Sequence, residues 1–376
     1  MDTPPHTNTP VWDDHPWPGL PRLETDVSSE VCVVGLGGSG LAAITELLDL
    51  GMKVVGLDAG TIAGGAAGRN GGFLLAGTAR FYHQTIAQFG HERARGMYQL
   101  TLEQMDRMVL QTPNAIRRVG SIRLADSAEE LEDCMEQLHA MQRDGLSVEA
   151  YDSPEGQGLL FPSDGAFQPL QRCRSLAQKA VARGAQLFEH SSALAINPNE
   201  VLTAAGRVRC DTVIVAVDGR LEQVMPELRG RVHTARLQML ATAPAPEVSI
   251  PRPVYARWGH DYWQQLPDKR VVLGGFRDKA LEEEWTIEDT PTNRIQTLLE
   301  RFLRDRLHVK APITHRWAAS VAYTPNGLPI LEEVQDGIWV LGAYSGTGNV
   351  VGALFGRAAA QMAVGGKSRI IDVFLG

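Results

Sequence analysis

With 376 residues, the chain is long enough for roughly two domains of about 150 residues each. Apolar residues make up 44% and charged residues 21%, the balance of an ordinary globular protein rather than a disordered or fibrous one. A net charge of −8 argues against a nucleic-acid-binding surface, which needs a clustered basic excess. No stretch approaches the ~20 apolar residues of a transmembrane segment.

Residues 1–29 are rich in proline and polar side chains and predict an irregular arm laid on the surface, with Trp12 and Trp17 making it a candidate docking segment. No Lys or Arg precedes Arg22 and no apolar core follows the start, so no secretory signal is expected. The four cysteines (Cys32, Cys134, Cys173, Cys210) are far apart and form no CxxC pair. Buried free thiols, not disulfides or a zinc site, are therefore expected, in a reducing, cytoplasmic setting.

Residues 31–36 read as a strand, 41–50 as a helix and 53–57 as a second strand, together one β-α-β unit. Residues 61–78 are rich in Gly and Ala, too irregular for a helix and too apolar for a solvated linker; such a segment lets backbone approach something closely. Between 91 and 110, Met97, Leu100, Met105, Met108 and Val109 recur at near-helical spacing. A second amphipathic helix over 127–143 opens on Ser127 with Glu130 three residues on, a capping box. A helix is expected at 170–182, short strands at 186–189 and 213–217, and β-rich runs at 236–243 and 255–276. Within the last, 262–266 and 270–274 flank a Pro267-Asp268-Lys269 turn and predict a hairpin. A helix over 293–307, a strand over 338–342 and a small-residue helix over 350–364 complete the chain. No internal repeat is visible, and the interleaving predicts two domains, each assembled from separated segments.

The run VCVVGLGGSG places Gly35, Gly37 and Gly40 in GxGxxG register. These glycines would allow a tight turn, room for a pyrophosphate, and close helix–strand packing. The diphosphate would sit on backbone N–H groups at the helix N-terminus, where the dipole favours negative charge. Asp58 ends the next strand, where a carboxylate can accept hydrogen bonds from both adenosine ribose hydroxyls. No basic residue follows closely, so a 2′-phosphate is not expected.

With these features the chain resembles the D-amino-acid oxidase superfamily of flavoproteins over about residues 28–370, its closer branch being glycine oxidase, sarcosine oxidase and, most of all, the gamma-glutamylputrescine oxidase-like proteins. Gly64-Gly65-Ala66-Ala67-Gly68-Arg69-Asn70-Gly71-Gly72 is similar to the family's Ala-Ser-Gly-Arg-Asn-Gly-Gly segment beside the flavin. Gly165-Ala-Phe-Gln-Pro169-Leu170 resembles the Gly-x-x-x-Pro opening of a helix, and the run from Cys210 through Ala216 to Gly219 resembles the strand returning beside the cofactor. Thr324-Pro-Asn-Gly-Leu-Pro329 followed by Gly342-Ala-Tyr-Ser-Gly-Thr-Gly348 matches the C-terminal pair of flavin-contacting turns.

The resemblance implies an α/β plus α+β protein: a Rossmann-like FAD-binding domain (28–90, 160–228 and 312–376), a second, antiparallel-sheet substrate domain (91–159 and 229–311), and an N-terminal arm (1–27). It implies FAD, noncovalently held because no Cys follows Cys210. The expected cofactor residues are Gly35, Gly37, Gly38, Ser39, Gly40, Asp58, Ala59, Gly68, Arg69, Asn70, Gly71, Gly72, Phe73, Ala193, Ala216, Gly219, Gly342, Ser345, Gly346, Thr347, Gly348 and Asn349. Residues 345–349 precede a helix whose positive end would face the flavin and stabilise the charge that reduction places there.

The implied reaction is hydride transfer from the carbon bearing an amine to flavin N5, which requires no dedicated proton-abstracting base. Candidate substrate-wall residues are Tyr255, Trp258, Tyr262, Trp263, Tyr323 and Tyr344, an aromatic cage suited to an amine. Strand alternation puts Tyr262 and Trp263 on opposite faces, so one of the two points away. Glycine and D-amino-acid oxidases carry an Arg that grips the substrate carboxylate at the position near Val321; Arg69, Arg257, Arg277 and Arg316 are possible substitutes, but none matches by motif. The sarcosine branch has a Lys over the flavin where this chain has Val, leaving oxygen or another carrier as acceptor. The leading expectation is oxidation of an amine lacking an alpha-carboxylate. The alternatives are a D-amino-acid, glycine or other amino-acid oxidase or dehydrogenase, and a flavin-binding electron-relay subunit of a complex.

Overall fold

A computed structural model describes residues 8–376. Val31–Val34 is a strand buried at every position, as expected where both faces of a parallel sheet are covered. It lies inside a six-stranded sheet ordered Gln186–Phe188, Val54–Leu57, Val31–Val34, Thr212–Val215, Ile338–Gly342, Ile330–Gln335. The first five run parallel and the last is an antiparallel edge. The helix after the first strand spans Gly38–Asp49, starting three residues before the expected 41, because the glycine turn itself supplies the first helical residues. It packs along the C-terminal helix Val351–Gly365. A Cβ at Gly356 would lie 2.1 Å from the Ser39 carbonyl oxygen, so only glycine admits this close crossing.

The second layer is an eight-stranded sheet ordered Ile313–Tyr323, His233–Pro244, Arg270–Gly275, Asp261–Gln265, Val254–Ala256, Ser121–Leu124, Gly156–Phe161, Glu149–Ser153. All its pairings are antiparallel except that between Val254–Ala256 and Ser121–Leu124. The expected hairpin is present as Asp261–Gln265 with Arg270–Gly275. Cross-strand register puts Arg123, Tyr255, Tyr262, Gly274, Met239 and Trp317 in one row on one face. That face meets the first layer: Trp317 donates its indole N–H to the Arg69 carbonyl. The other face is closed by the helix Asn293–Asp305, capped by Thr292, where Trp263 packs against Phe302 with centroids 5.2 Å apart.

Three local expectations are corrected. The arm is irregular and largely exposed, as expected, but it is fastened by buried anchors. Val11 and Trp12 are buried, Trp12 at 2% exposure, with its indole N–H donated to the Asn70 carbonyl at 2.7 Å and its own carbonyl accepting from Gln168. Trp17 donates to Glu189, and Val27–Ser28 forms a strand. An exposed docking segment carrying Trp12 is therefore ruled out; residues 1–7 of the expected arm lie outside the described residues. The 61–78 segment, expected to hold no helix, contains the single turn Ala66–Arg69. The capping box at 127–143 is half formed: Ser127 Oγ accepts from the Glu130 N–H. The Glu130 carboxylate instead accepts the N–H groups of Asp126, Arg257 and Trp258. It holds the Arg257–Gly259 turn, where Arg257 and Trp258 both have left-handed backbone angles (φ 52° and 55°), a strained pair that needs outside support.

Candidate active site

Gly35, Gly37 and Gly40 do different work. Gly35 has φ +101°, and a Cβ there would fall 2.6 Å from the Ala216 carbonyl oxygen; at Gly40 it would fall 1.9 Å from the Gly35 carbonyl oxygen. Both are packing requirements of the fold. Gly37 has an ordinary extended backbone (φ −83°, ψ −168°) and only Ala67 in van der Waals range; Gly38 has nothing within 4 Å. These two face open space at a helix N-terminus that no side chain caps and no acidic residue crowds. Unsatisfied N–H groups and the dipole at such an end bind a diphosphate. Asp58 accepts the Leu36 and Gly60 N–H groups, both at 2.8 Å, which orients a carboxylate that retains further acceptor capacity. Burial pushes its pKa above the usual value.

The expected second and third cofactor segments meet in space although they come from opposite ends of the chain. Asn349 Nδ2 donates to Asn70 Oδ1 at 3.1 Å and to the Phe73 carbonyl at 2.9 Å. Asn70 Oδ1 also accepts from the Gly72 N–H, so one side chain shapes the 70–73 turn. Arg69 does not point a free charge into the site: its Nε donates to the Ala318 carbonyl and its Nη2 to Asn8. Ala343 and Ser345 have left-handed backbone angles (φ 57° and 51°). Asp218 supports this strained turn by accepting the Ala322 and Tyr344 N–H groups, and burial pushes its carboxyl up to about 6. Ser345 Oγ accepts the Thr324 N–H, and Thr347 donates its hydroxyl to the Tyr344 carbonyl. Gly219 and Gly342 admit backbone contacts, with hypothetical Cβ atoms 2.2 Å from the Ser320 and 2.5 Å from the Val217 carbonyl oxygens. Gly68 likewise sits against the Ala63 carbonyl. Ala59 and Ala193 lie in loops beyond the parallel strands Val54–Leu57 and Gln186–Phe188.

The six aromatic candidates separate. Tyr262 lies over Gly274, whose absent side chain makes room for the ring, and edge-on to Phe73. Tyr323 stands by the C-terminal turn, its hydroxyl 3.9 Å from the Cβ position of Gly346. Tyr344 is buried under the small residues Gly348 and Gly352, with its pKa far above the usual range through burial. Tyr255 stacks on Arg123, 4.9 Å from ring to guanidinium, in a buried cluster with Asp164, whose carboxyl burial pushes up to about 7. Trp263 is corrected: it belongs to the core beneath Asn293–Asp305, the outward member of the alternating pair. Trp258 is 42% exposed and donates to Asp133.

Sequence reasoning missed two neighbours. Gln264 donates to the Gly71 and Gly72 carbonyls while its Oε1 is buried without a partner; sharing a strand face with Tyr262 was the available signal. Trp285 lies edge-on to Tyr323, with centroids 5.6 Å apart; its irregular segment carries no periodicity that could have found it.

Open backbone at Gly37 and Gly38, an uncapped helix N-terminus, a carboxylate at the end of the neighbouring strand and orphaned polar atoms on Gln264 and Tyr344 fit a long dinucleotide. The comparisons agree with this geometry. The family model described as FAD dependent oxidoreductase matches residues 30–362, and the chain belongs to that family. It is 24% identical to a probable oxidoreductase OrdL of Haemophilus influenzae, covering 95% of this chain and 87% of the relative. It is 26% identical to the gamma-glutamylputrescine oxidoreductase of Escherichia coli, covering 94% and 87%. The L-proline dehydrogenase of P. horikoshii superposes with a TM-score of 0.77 at 18% identity, covering 93% and 96%. The chain is thus an FAD-dependent oxidoreductase of the D-amino-acid oxidase fold. Among the described residues, no helix is long and apolar enough to cross a membrane.

Proposed function

We propose that the protein oxidises the C–N bond of an amine, with the FAD held noncovalently in the six-stranded layer and the substrate under the eight-stranded sheet. Bound FAD would accept a hydride at N5 from the carbon bearing the amine. The chain's own part is to hold that carbon in line and to exclude water. Tyr262 and Tyr323 converge from the sheet on the 71–73 and 345–349 turns, and this convergence is the observation that carries the reading. Relatives act on such donors by name, a gamma-glutamylputrescine oxidoreductase and an L-proline dehydrogenase. No base is required, and burial holds both His260 and His315 below the usual histidine pKa. Oxygen or another acceptor would take the electrons from the cofactor. The four buried, free thiols fit a reducing, cytoplasmic setting.

Mixing the anaerobic yellow protein with a panel of amines and amino acids tests this. Bleaching should follow with at least one donor, and its rate should rise with pH as the substrate ammonium loses its proton. Acid precipitation of the same preparation should leave the FAD in the supernatant. Flavin retained in the pellet would refute noncovalent binding.

A further inference from the structure

Four arginines lie near enough in sequence to the site motifs to replace the missing carboxylate anchor at Val321, and their surroundings differ sharply. Arg257 is taken by Asp261 at 2.6 Å and Asp278 at 2.7 Å. Arg316 is taken by Glu300 at 2.6 Å and by Gln296. Arg69 is spent on the Ala318 carbonyl and Asn8. Arg277 forms no ion pair among the described residues. Its guanidinium lies 4.7 Å from the ring centroids of both Trp285 and Tyr323, and its Nη1 is buried with no hydrogen-bond partner. Through Tyr323, whose hydroxyl stands 3.9 Å from the Cβ position of Gly346, the guanidinium sits beside the residues that converge on the C-terminal turn.

Phe276, with φ +62°, turns the chain off the end of the Arg270–Gly275 strand and delivers Arg277 there. Two aromatic faces attract a cation and hold its plane. The Tyr323 hydroxyl takes a hydrogen bond from the guanidinium, but Nη1 is left over, and a buried donor without an acceptor carries a desolvation cost. A planar guanidinium with a free edge suits a carboxylate, which can take two parallel N–H bonds. Trp285, 44% exposed, leaves this box open at one side.

We propose that Arg277 is the specificity-determining anchor: the substrate is an amine that also carries a carboxylate, gripped by Arg277 between Trp285 and Tyr323. The proposal rests on the amine-oxidation reading and narrows it, replacing the expectation of amines without a carboxylate. It also moves the anchor from the strand Ile313–Tyr323 to the turn after Arg270–Gly275.

Anaerobic bleaching with matched pairs tests it, n-butylamine against 4-aminobutyrate and methylamine against glycine, in wild type, Arg277→Gln and Arg277→Lys. In at least one pair the carboxylated member should half-saturate the wild type at roughly tenfold to a hundredfold lower concentration, the scale of a hydrogen bond between charged groups. Arg277→Gln should abolish the advantage and Arg277→Lys should restore part of it, with flavin content unchanged in both. Equal half-saturation in every pair, or an advantage that survives Arg277→Gln, overturns the anchor. A parallel titration of holoenzyme with benzoate, read by tryptophan fluorescence and flavin absorbance, separates the two claims. If no donor bleaches the flavin but benzoate binds wild type and not Arg277→Gln, the anchor stands and the amine reading falls. If benzoate also binds both proteins equally, the anchor falls too.

Discussion

Gly37 and Gly40 are three residues apart in one motif, yet their substitution should fail in different ways. At Gly40 a Cβ would overlap the Gly35 carbonyl, so Gly40→Ala strains the fold whether or not FAD is present, at about 1–3 kcal/mol or more for forced overpacking. At Gly37 the backbone is one that any residue adopts, and the space in front of it is where the diphosphate would lie. Gly37→Val should therefore yield soluble, folded protein that is colourless. Flavin absorbance per polypeptide, with circular dichroism as the folding control, reads this. Full flavin content in Gly37→Val would remove the diphosphate from that position. The register of the three glycines and the placement of Asp58 could be read from spacing alone, because each is set by local backbone geometry. The state of the arginines could not. Arg257 finds Asp261 and Asp278 only because of a left-handed turn that Glu130, on another element, holds in place.

Elements with a clear period were legible, and those fastened by single contacts were not. The hairpin at 262–274 and the helix at 91–110 follow from alternation, turn chemistry and helical spacing, and the structure contains Asp261–Gln265, Arg270–Gly275 and His91–Gln111. Alternation also said that Tyr262 and Trp263 must part, but not which one faces the first layer; Gly274 opposite Tyr262 and Phe302 beneath Trp263 decide that. The arm shows the opposite case. Its proline-rich, polar composition hides one docked indole, and that indole ties residues 8–20 through Asn70 to the turn proposed to lie beside the flavin. Removing a fully buried Trp commonly costs about 3–5 kcal/mol. Trp12→Ala should lower stability in urea by that order and also weaken FAD retention, whereas a freely exposed arm would show neither effect.

At the scale of the whole molecule, two sheets face each other, and several contacts between the layers gather on one segment. Trp317 reaches the Arg69 carbonyl, Gln264 the Gly71 and Gly72 carbonyls, and Asn8 the Arg69 guanidinium while donating to the Asp289 carbonyl. Each binds the 69–72 segment, so the layer proposed to hold substrate is fastened to the other at the turn proposed to hold the cofactor. Under the proposed function this arrangement would place a donor's carbon against the flavin, and the C–H bond next to nitrogen would be the one that breaks. A donor deuterated at that carbon tests the claim directly. Anaerobic stopped-flow bleaching should be several-fold slower with the deuterated amine than with its protiated twin. A flavin that dithionite reduces, but that stays oxidised with every amine and amino acid offered, would contradict the account.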